Sequence, residues 1–322
     1  MQQGHSRGRP WGLTVLFAAV FVAMLWAAQA AQGFVYWSNN VDTGSIGRAN
    51  LDGTGATQSL VPGPINFACG VAVDGSHVYW AIRDDNAIGR ANLDGSSPDS
   101  TFITGATGPC GVAVDGSHVY WANLAGTTVG RANLDGSNVN NNFVAGASRP
   151  CGVAVDGSHV YWVNADSSAL TVGRADINGG NVNQSFIPSN AGCFVAVDGA
   201  HLYWDNSVST AIRRSDLDGN GAQDLVTGLG GNVCGVAVDA SHIYWTEDAT
   251  GSIGRANLDG TGPNMGFVPS GGDNTCGVAV DAGVPTPPAS GQPSNKKRCK
   301  KHKKHKRHAA SLAKKHCKKK KR

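Results

Sequence analysis

Several residue types recur in this chain at spacings that could do chemistry. Cys69, Cys110, Cys151, Cys193, Cys234 and Cys276 follow one another at intervals of 41 or 42 residues. Thiols so arranged could pair as disulfides, hold a soft metal, or pack as small apolar side chains. His77, His118, His159, His201 and His242 keep the same rhythm, and imidazoles around one opening would suit a metal or a pH-dependent switch. Arg48, Arg90, Arg131, Arg174, Arg214 and Arg255 repeat as well, as do Asp74, Asp115, Asp156, Asp198, Asp239 and Asp281. These charges are candidates for half-buried ion pairs. Recurring once per repeat, they are expected to hold strands or neighbouring repeats together rather than to bind a ligand.

One stretch has the look of a calcium loop. Asp216, Asp218, Asn220 and Asp224 put oxygen side chains at positions 1, 3, 5 and 9 of a candidate loop, with Gly221 at position 6. Position 12 is Thr227, where a bidentate Glu belongs, and the same turn recurs elsewhere as Asn-Leu-Asp-Gly. The expectation is an ordinary turn, with calcium as the alternative and no other cofactor. Catalysis leaves no signature: there is no G-x-S-x-G, no H-E-x-x-H and no phosphate loop, and Glu247 is the sole Glu, which excludes a Glu pair. No catalytic residue is assigned.

The elements that carry these residues follow from a twelve-residue stretch, CGVAVDGSHVYW at residues 110–121, which recurs along most of the chain. Val-Ala-Val is a run of β-formers, Asp-Gly-Ser is turn chemistry, and Val-Tyr-Trp is a strong strand, so the stretch predicts a hairpin. Tyr-Trp falls at Trp37, Trp80, Trp121, Trp162, Trp204 and Trp245, a period near 41. Each unit then carries a third strand ending in Asp-Gly or Asn-Gly, such as AIGRANLDG at 87–95, and a short fourth apolar run such as 102–104. Four strands per unit with no intervening helix predict an all-β propeller of six blades. The first Tyr-Trp has no Gly-Val-Ala-Val-Asp before it, and the last such segment, ending at Asp281, has no Tyr-Trp after it. These ends complete one another if one C-terminal strand joins three N-terminal strands and closes the ring.

Val-Tyr-Trp, then I-x-RANLDG, then GVAVD, in six phased copies over residues 34–281, resembles the YWTD repeats of low-density lipoprotein receptors. The resemblance implies a six-bladed propeller with GVAVD-like strands innermost and Tyr-Trp strands second. The chain departs from that pattern in the motif's last two residues: Ser38-Asn39, Ala81-Ile82, Ala122-Asn123, Val163-Asn164, Asp205-Asn206 and Thr246-Glu247. The family's acidic position is mostly amide here, so a role resting on that Asp does not carry over. On this placement the Cys open the inner strands and the His follow their ends, which sets the two rings on opposite faces. Equivalent points on six blades form a hexagon whose side equals its radius. An inner strand roughly 8 Å from the axis would hold neighbouring Cys too far apart for a disulfide. The Cys ring is therefore expected to be structural, a ring of buried thiol fillers, with disulfides or a bound metal as alternatives. The His ring is expected to be turn chemistry multiplied by duplication.

The ends of the chain are of another character. Arg7 and Arg9, an apolar run from Trp11 to Trp26 and an Ala28-Gln29-Ala30 step lay out a secretory signal peptide over 1–30, with no transmembrane span once it is removed. An uncleaved anchor is the alternative. Residues 31–283 are the propeller, 284–295 a Pro-rich linker, and 296–322 a Lys/Arg/His-rich tail. The tail holds Lys296, Lys297, Arg298, Lys300, Lys301, Lys303, Lys304, Lys306, Arg307, Lys314, Lys315, Lys318, Lys319, Lys320, Lys321 and Arg322 and no acid. Such density repels itself and is not expected to fold alone. Residues 31–295 carry 23 acids, nine Arg and no Lys, a net of −14. The chain thus reads as an acidic body with a basic extension. Outside the cell, the polyanions open to that extension are anionic envelope polymers and lipid headgroups; a solvated tail, or one folded onto its own body, is the alternative. The expectation is a secreted or envelope-associated monomer that binds an unidentified protein or glycan on a propeller face. The rival is an enzyme of lactonase or lyase type with a divalent metal in the central channel, an analogy from fold alone.

Overall fold

The computed structural model describes residues 33–281, apart from 167–169, 189, 207–209 and 270–273. The signal segment, the linker and the tail lie outside the described residues. The strands are β1 (Phe34–Asn39), β2 (Gly44–Asn50) and β3 (Thr57–Ile65); β4 (Ala68–Val73), β5 (His77–Ile82), β6 (Ala87–Asn92) and β7 (Asp99–Thr104); β8 (Pro109–Val114), β9 (His118–Asn123), β10 (Thr128–Asn133) and β11 (Asn140–Ala145). They continue with β12 (Pro150–Val155), β13 (His159–Asn164), β14 (Thr171–Asp176) and β15 (Asn183–Pro188); β16 (Ala191–Val197), β17 (His201–Asn206), β18 (Ala211–Asp216) and β19 (Gln223–Val226); β20 (Val233–Val238), β21 (His242–Glu247), β22 (Ile253–Asn257), β23 (Asn264–Val268) and β24 (Thr275–Asp281). They form six antiparallel four-stranded sheets, the blades of a propeller. Blade 1 has the order β24-β1-β2-β3, so the last strand completes the first blade, with Phe34 opposite Asp281 and Tyr36 opposite Ala279. Blades 2 to 6 follow in chain order.

What drives each blade onto the next is aromatic burial. The six Tyr and six Trp of the Tyr-Trp pairs are at most 1 % exposed, and each such ring contributes on the order of 4–6 kcal/mol of gross apolar burial. Trp121 sits opposite Gly130 on β10, and a Cβ added at Gly130 would lie 2.1 Å from the indole Cε2. The same clash meets Gly47, Gly89, Gly173 and Gly254, which explains the Gly that precedes the repeated Arg. Blade 5 places Arg213 at this position instead; its guanidinium lies 5.7 Å from the Trp204 ring and its Nε 3.0 Å from Asp224.

The cysteine expectation is overturned. Cys69–Cys110, Cys151–Cys193 and Cys234–Cys276 are disulfides, joining blades 2 and 3, 4 and 5, and 6 and 1, with Cα–Cα separations of 4.9, 5.2 and 4.7 Å. The inner strands stand closer to the axis at their Cys than roughly 8 Å, since neighbouring Cys Cα atoms are only about 5 Å apart. Every inner strand has a bulge beside its Cys, for example between Pro109 and Val112, which lifts Cys-Gly off the second strand and toward the axis. The following Gly then lets neighbouring inner strands meet: a Cβ at Gly111 would lie 2.6 Å from the Cys151 carbonyl.

Replacement of Gly130 by Ala is expected to cost about 1–3 kcal/mol through overpacking against Trp121. Gly157→Ala, where an added Cβ meets nothing within 4 Å, should stay within about 0.5 kcal/mol. Urea denaturation of the two variants measures the difference.

Candidate functional site

The wide mouth of the channel carries one unit repeated five times, which blade 3 illustrates. The Asp115 carboxylate closes the β8–β9 turn by accepting the Ser117 and His118 N–H groups, both at 2.7 Å, on one oxygen. Its other oxygen accepts the Tyr120 hydroxyl at 2.8 Å. Burial, the hydrogen bond and the Asp charge all push the Tyr120 hydroxyl far above its usual range, so it remains a donor. Asp74, Asp156, Asp198 and Asp239 take the hydroxyls of Tyr79, Tyr161, Tyr203 and Tyr244 in the same way. Each His keeps its Nδ1 within 3.5–3.9 Å of its own Asp and about 30 % of its side chain exposed. Among the described residues the five imidazoles do not converge on a common point. Phe34 takes the sixth position, edge-on to Tyr36.

The repeated Arg do bridge blades, but through a partner other than the Asp. Arg48, Arg90, Arg131, Arg174, Arg214 and Arg255 donate to the carbonyls of Leu93, Leu134, Ile177, Leu217, Leu258 and Leu51, each in the next blade. The last of these crosses the closure. Five of them also stack on a Phe of their own blade, at 3.9–4.4 Å from the ring centre. Asp74, Asp115, Asp156, Asp198 and Asp239, whose carboxylates serve the turn and the Tyr, have no ion pair with these Arg among the described residues.

The outer turns open on the same face. Leu134 N–H, for instance, reaches the Ser117 carbonyl. Asp52, Asp94, Asp135 and Asp259 are held below the usual carboxylate range by the neighbouring Ser or Thr hydroxyl, and Asp218 chiefly by the Asn220 N–H. Two concentric rings of carboxylates result, with clefts between blades. One of these, about 670 Å³ between blades 3 and 4, is bordered by Asp115, His118, Arg131, Asp156 and Asn178.

The candidate calcium loop lies in one of these outer turns. Asp218 accepts the Asn220 N–H and amide, while Asp224 faces Arg213. Asp216, Asp218 and Asp224 are not gathered around a common point. The broad part of the channel, about 200 Å³, is lined by Val and Ala of the six inner strands alone. Those side chains offer nothing that would ligate the divalent ion of a lactonase-like propeller.

Two functional features went unseen in the sequence. At the narrow mouth Phe194 replaces the Gly that follows Cys in the other blades and belongs to the same buried cluster as Cys69, Cys110, Cys151 and Cys276. Its N–H and that of Cys193 are held by Asp205, whose buried carboxyl is pushed up to about 6 by desolvation. The departure of residue 194 from the repeat was the available signal. The amides at the resemblance's acidic position also gain a role. Asn123 accepts the Thr107 N–H and donates to Thr128 and to the Asn141 carbonyl; Asn164 does the same with Ser148, Thr171 and Gln184. A carboxylate could accept but not donate in this way.

No protein-family model and no curated protein matches the chain. Among solved structures, a chain in the crystal structure of a nidogen/laminin complex superposes with a TM-score of 0.68 at 21 % identity, over 77 % of this chain and 98 % of that one. That likeness and the blade count agree with the six-bladed, YWTD-type architecture that the repeats implied. No helix among the described residues is long and apolar enough to cross a membrane.

Folded-state Asp205 titrates above its unfolded value, so the folded chain binds the extra proton between about pH 4 and 6 and stability falls as pH rises through that window. Asp205→Asn is therefore expected to be more stable than the parent at pH 7.5, by about 1–3 kcal/mol, with the difference vanishing below about pH 4. Thermal melts of both proteins across that range provide the check.

Proposed function

We propose that the chain is a secreted, envelope-associated binding module, whose propeller presents a ligand face and whose basic tail ties it to anionic polymers or lipid headgroups. The observation that carries the first half is where side-chain chemistry lies. The channel wall is Val and Ala, whereas the wide face carries Asp, His, Arg and Tyr in a fixed repeating lattice around inter-blade clefts. Groups locked by turns, stacking and neighbouring carbonyls present a pre-organised surface, which suits recognition. One structure of similar fold is from a complex of nidogen with laminin, and a protein or glycan ligand is the corresponding reading here.

The tether rests on the charge division: 16 cations within residues 296–322, against a body of net charge −14. Basic clusters gain about 1 kcal/mol per Lys or Arg at an anionic surface, and salt screens that gain. Deletion of residues 296–322 is expected to release the protein from envelope fractions and from vesicles containing anionic lipid. It should weaken vesicle binding on the order of tenfold or more at low salt and flatten its salt dependence. Retention unchanged by the deletion would contradict the tether.

A further inference from the structure

We propose that the sulfur ring at the narrow mouth is a redox-gated site for a soft metal ion, in which Cys110, Cys151 and Cys193 supply three thiolates once their disulfides are opened. The sulfurs of these three residues all lie within 4.8 Å of one another. Cys110 Sγ and Cys151 Sγ are 3.8 Å apart although they belong to different disulfides. A trigonal or tetrahedral thiolate site with metal–sulfur bonds of about 2.3 Å needs sulfurs roughly 4 Å apart. Cys110 and Cys151 are thus already near ligating spacing, whereas Cys151 and Cys193, bonded to each other, separate only when their disulfide opens.

A hexagon of six sulfurs has two sets of neighbours. The disulfides use one set, 69–110, 151–193 and 234–276. Opening the first two bonds leaves 110, 151 and 193 as consecutive thiols on consecutive inner strands. The third, between blade 6 and the closing strand β24, supplies no ligand to this trio. Phe194 and other apolar groups surround the trio, and a cavity of about 50 Å³ bordered by Gly111, Val112, Val153 and Phe194 lies beside it. Cys193 is only partly buried, which gives access from outside. Thiolate donors in an apolar setting select Zn²⁺, Cd²⁺ or Cu⁺ over the hard cations that carboxylates prefer.

The chemistry balances with a dithiol as reductant. Each disulfide takes up two electrons and two protons, and the dithiol closes to its own cyclic disulfide, so two equivalents yield four thiols. Binding of a divalent ion by three of them releases three protons, and Cys69 remains a thiol.

The test uses the full chain carrying Cys299→Ser and Cys317→Ser, so that tail sulfurs cannot compete. After anaerobic reduction with dithiothreitol and its removal, the protein is titrated with Co²⁺. A sulfur-to-metal charge-transfer band saturating at one ion per chain is expected. Further substitution of Cys151→Ser or Cys193→Ser should weaken binding at least about tenfold, the scale on which even less direct changes around a metal act. Cys234→Ser with Cys276→Ser should leave the band in place. Because a substituted ring may lose its fold, alkylation of the chain with its ring intact, reduced and loaded with Zn²⁺, gives an independent reading. Mass mapping should find Cys110, Cys151 and Cys193 spared and Cys69 labelled. Absence of the band at one equivalent, a band that survives loss of Cys151 or Cys193, or uniform labelling of the ring would overturn the proposal. So would a reduced chain that unfolds and stays unfolded when metal is added.

Discussion

Every blade of this molecule buries its aromatic face against the next, and no blade can finish that burial alone. A single four-stranded sheet carrying Tyr120 and Trp121 would expose one large ring on each of its two faces, Trp121 toward blade 2 and Tyr120 toward blade 4. The neighbour supplies the cover, and the Arg of each blade reaches across to a carbonyl of the next so that the two cannot slide apart. A chain of such blades has an uncovered face at each end until it closes. Closure is therefore the condition for the others: β24 pairs with β1, Arg255 reaches Leu51, and Cys276 bonds Cys234.

Closure also shapes the two mouths differently. Where the inner strands enter, the bulge and the Cys-Gly step draw six backbones to within bonding distance of their neighbours, and Phe194 fills what is left. Where they leave, Asp-Gly-Ser turns spread outward and carry the polar groups with them. One end of the channel is a stapled plug and the other is the chemically rich face. That face is the one proposed to receive a ligand, because its side chains are fixed by turns, stacking and neighbouring carbonyls.

Blade number and closure were legible because they depend on counting: six Tyr-Trp pairs, six Val-Ala-Val segments, five of them preceded by Gly and one by Phe194, and unmatched pieces at the two ends. The strand types were legible from the switch between β-formers and Asp-Gly turns. Distances from the axis were not, since a bulge beside Pro109 or Pro150 leaves no plain mark in the sequence, and the disulfides were hidden with them. Partners across blades were equally hidden. Arg90 repeats in step with Asp74, but its hydrogen bond goes to a main-chain carbonyl 44 residues away, and main-chain acceptors have no sequence signature. Phe194 and Asp205 are single departures from the repeat. Their meaning emerges only when the structure shows that they touch.

Hydrogen exchange of the amides of β24 tests the claim of closure most directly. If blade 1 is completed by the C-terminal strand, residues 278–280 should exchange as slowly as their counterparts Val112–Val114 in β8, through the same global opening. Rapid exchange across β24, with the inner strands of blades 2 to 6 still protected, would contradict the account.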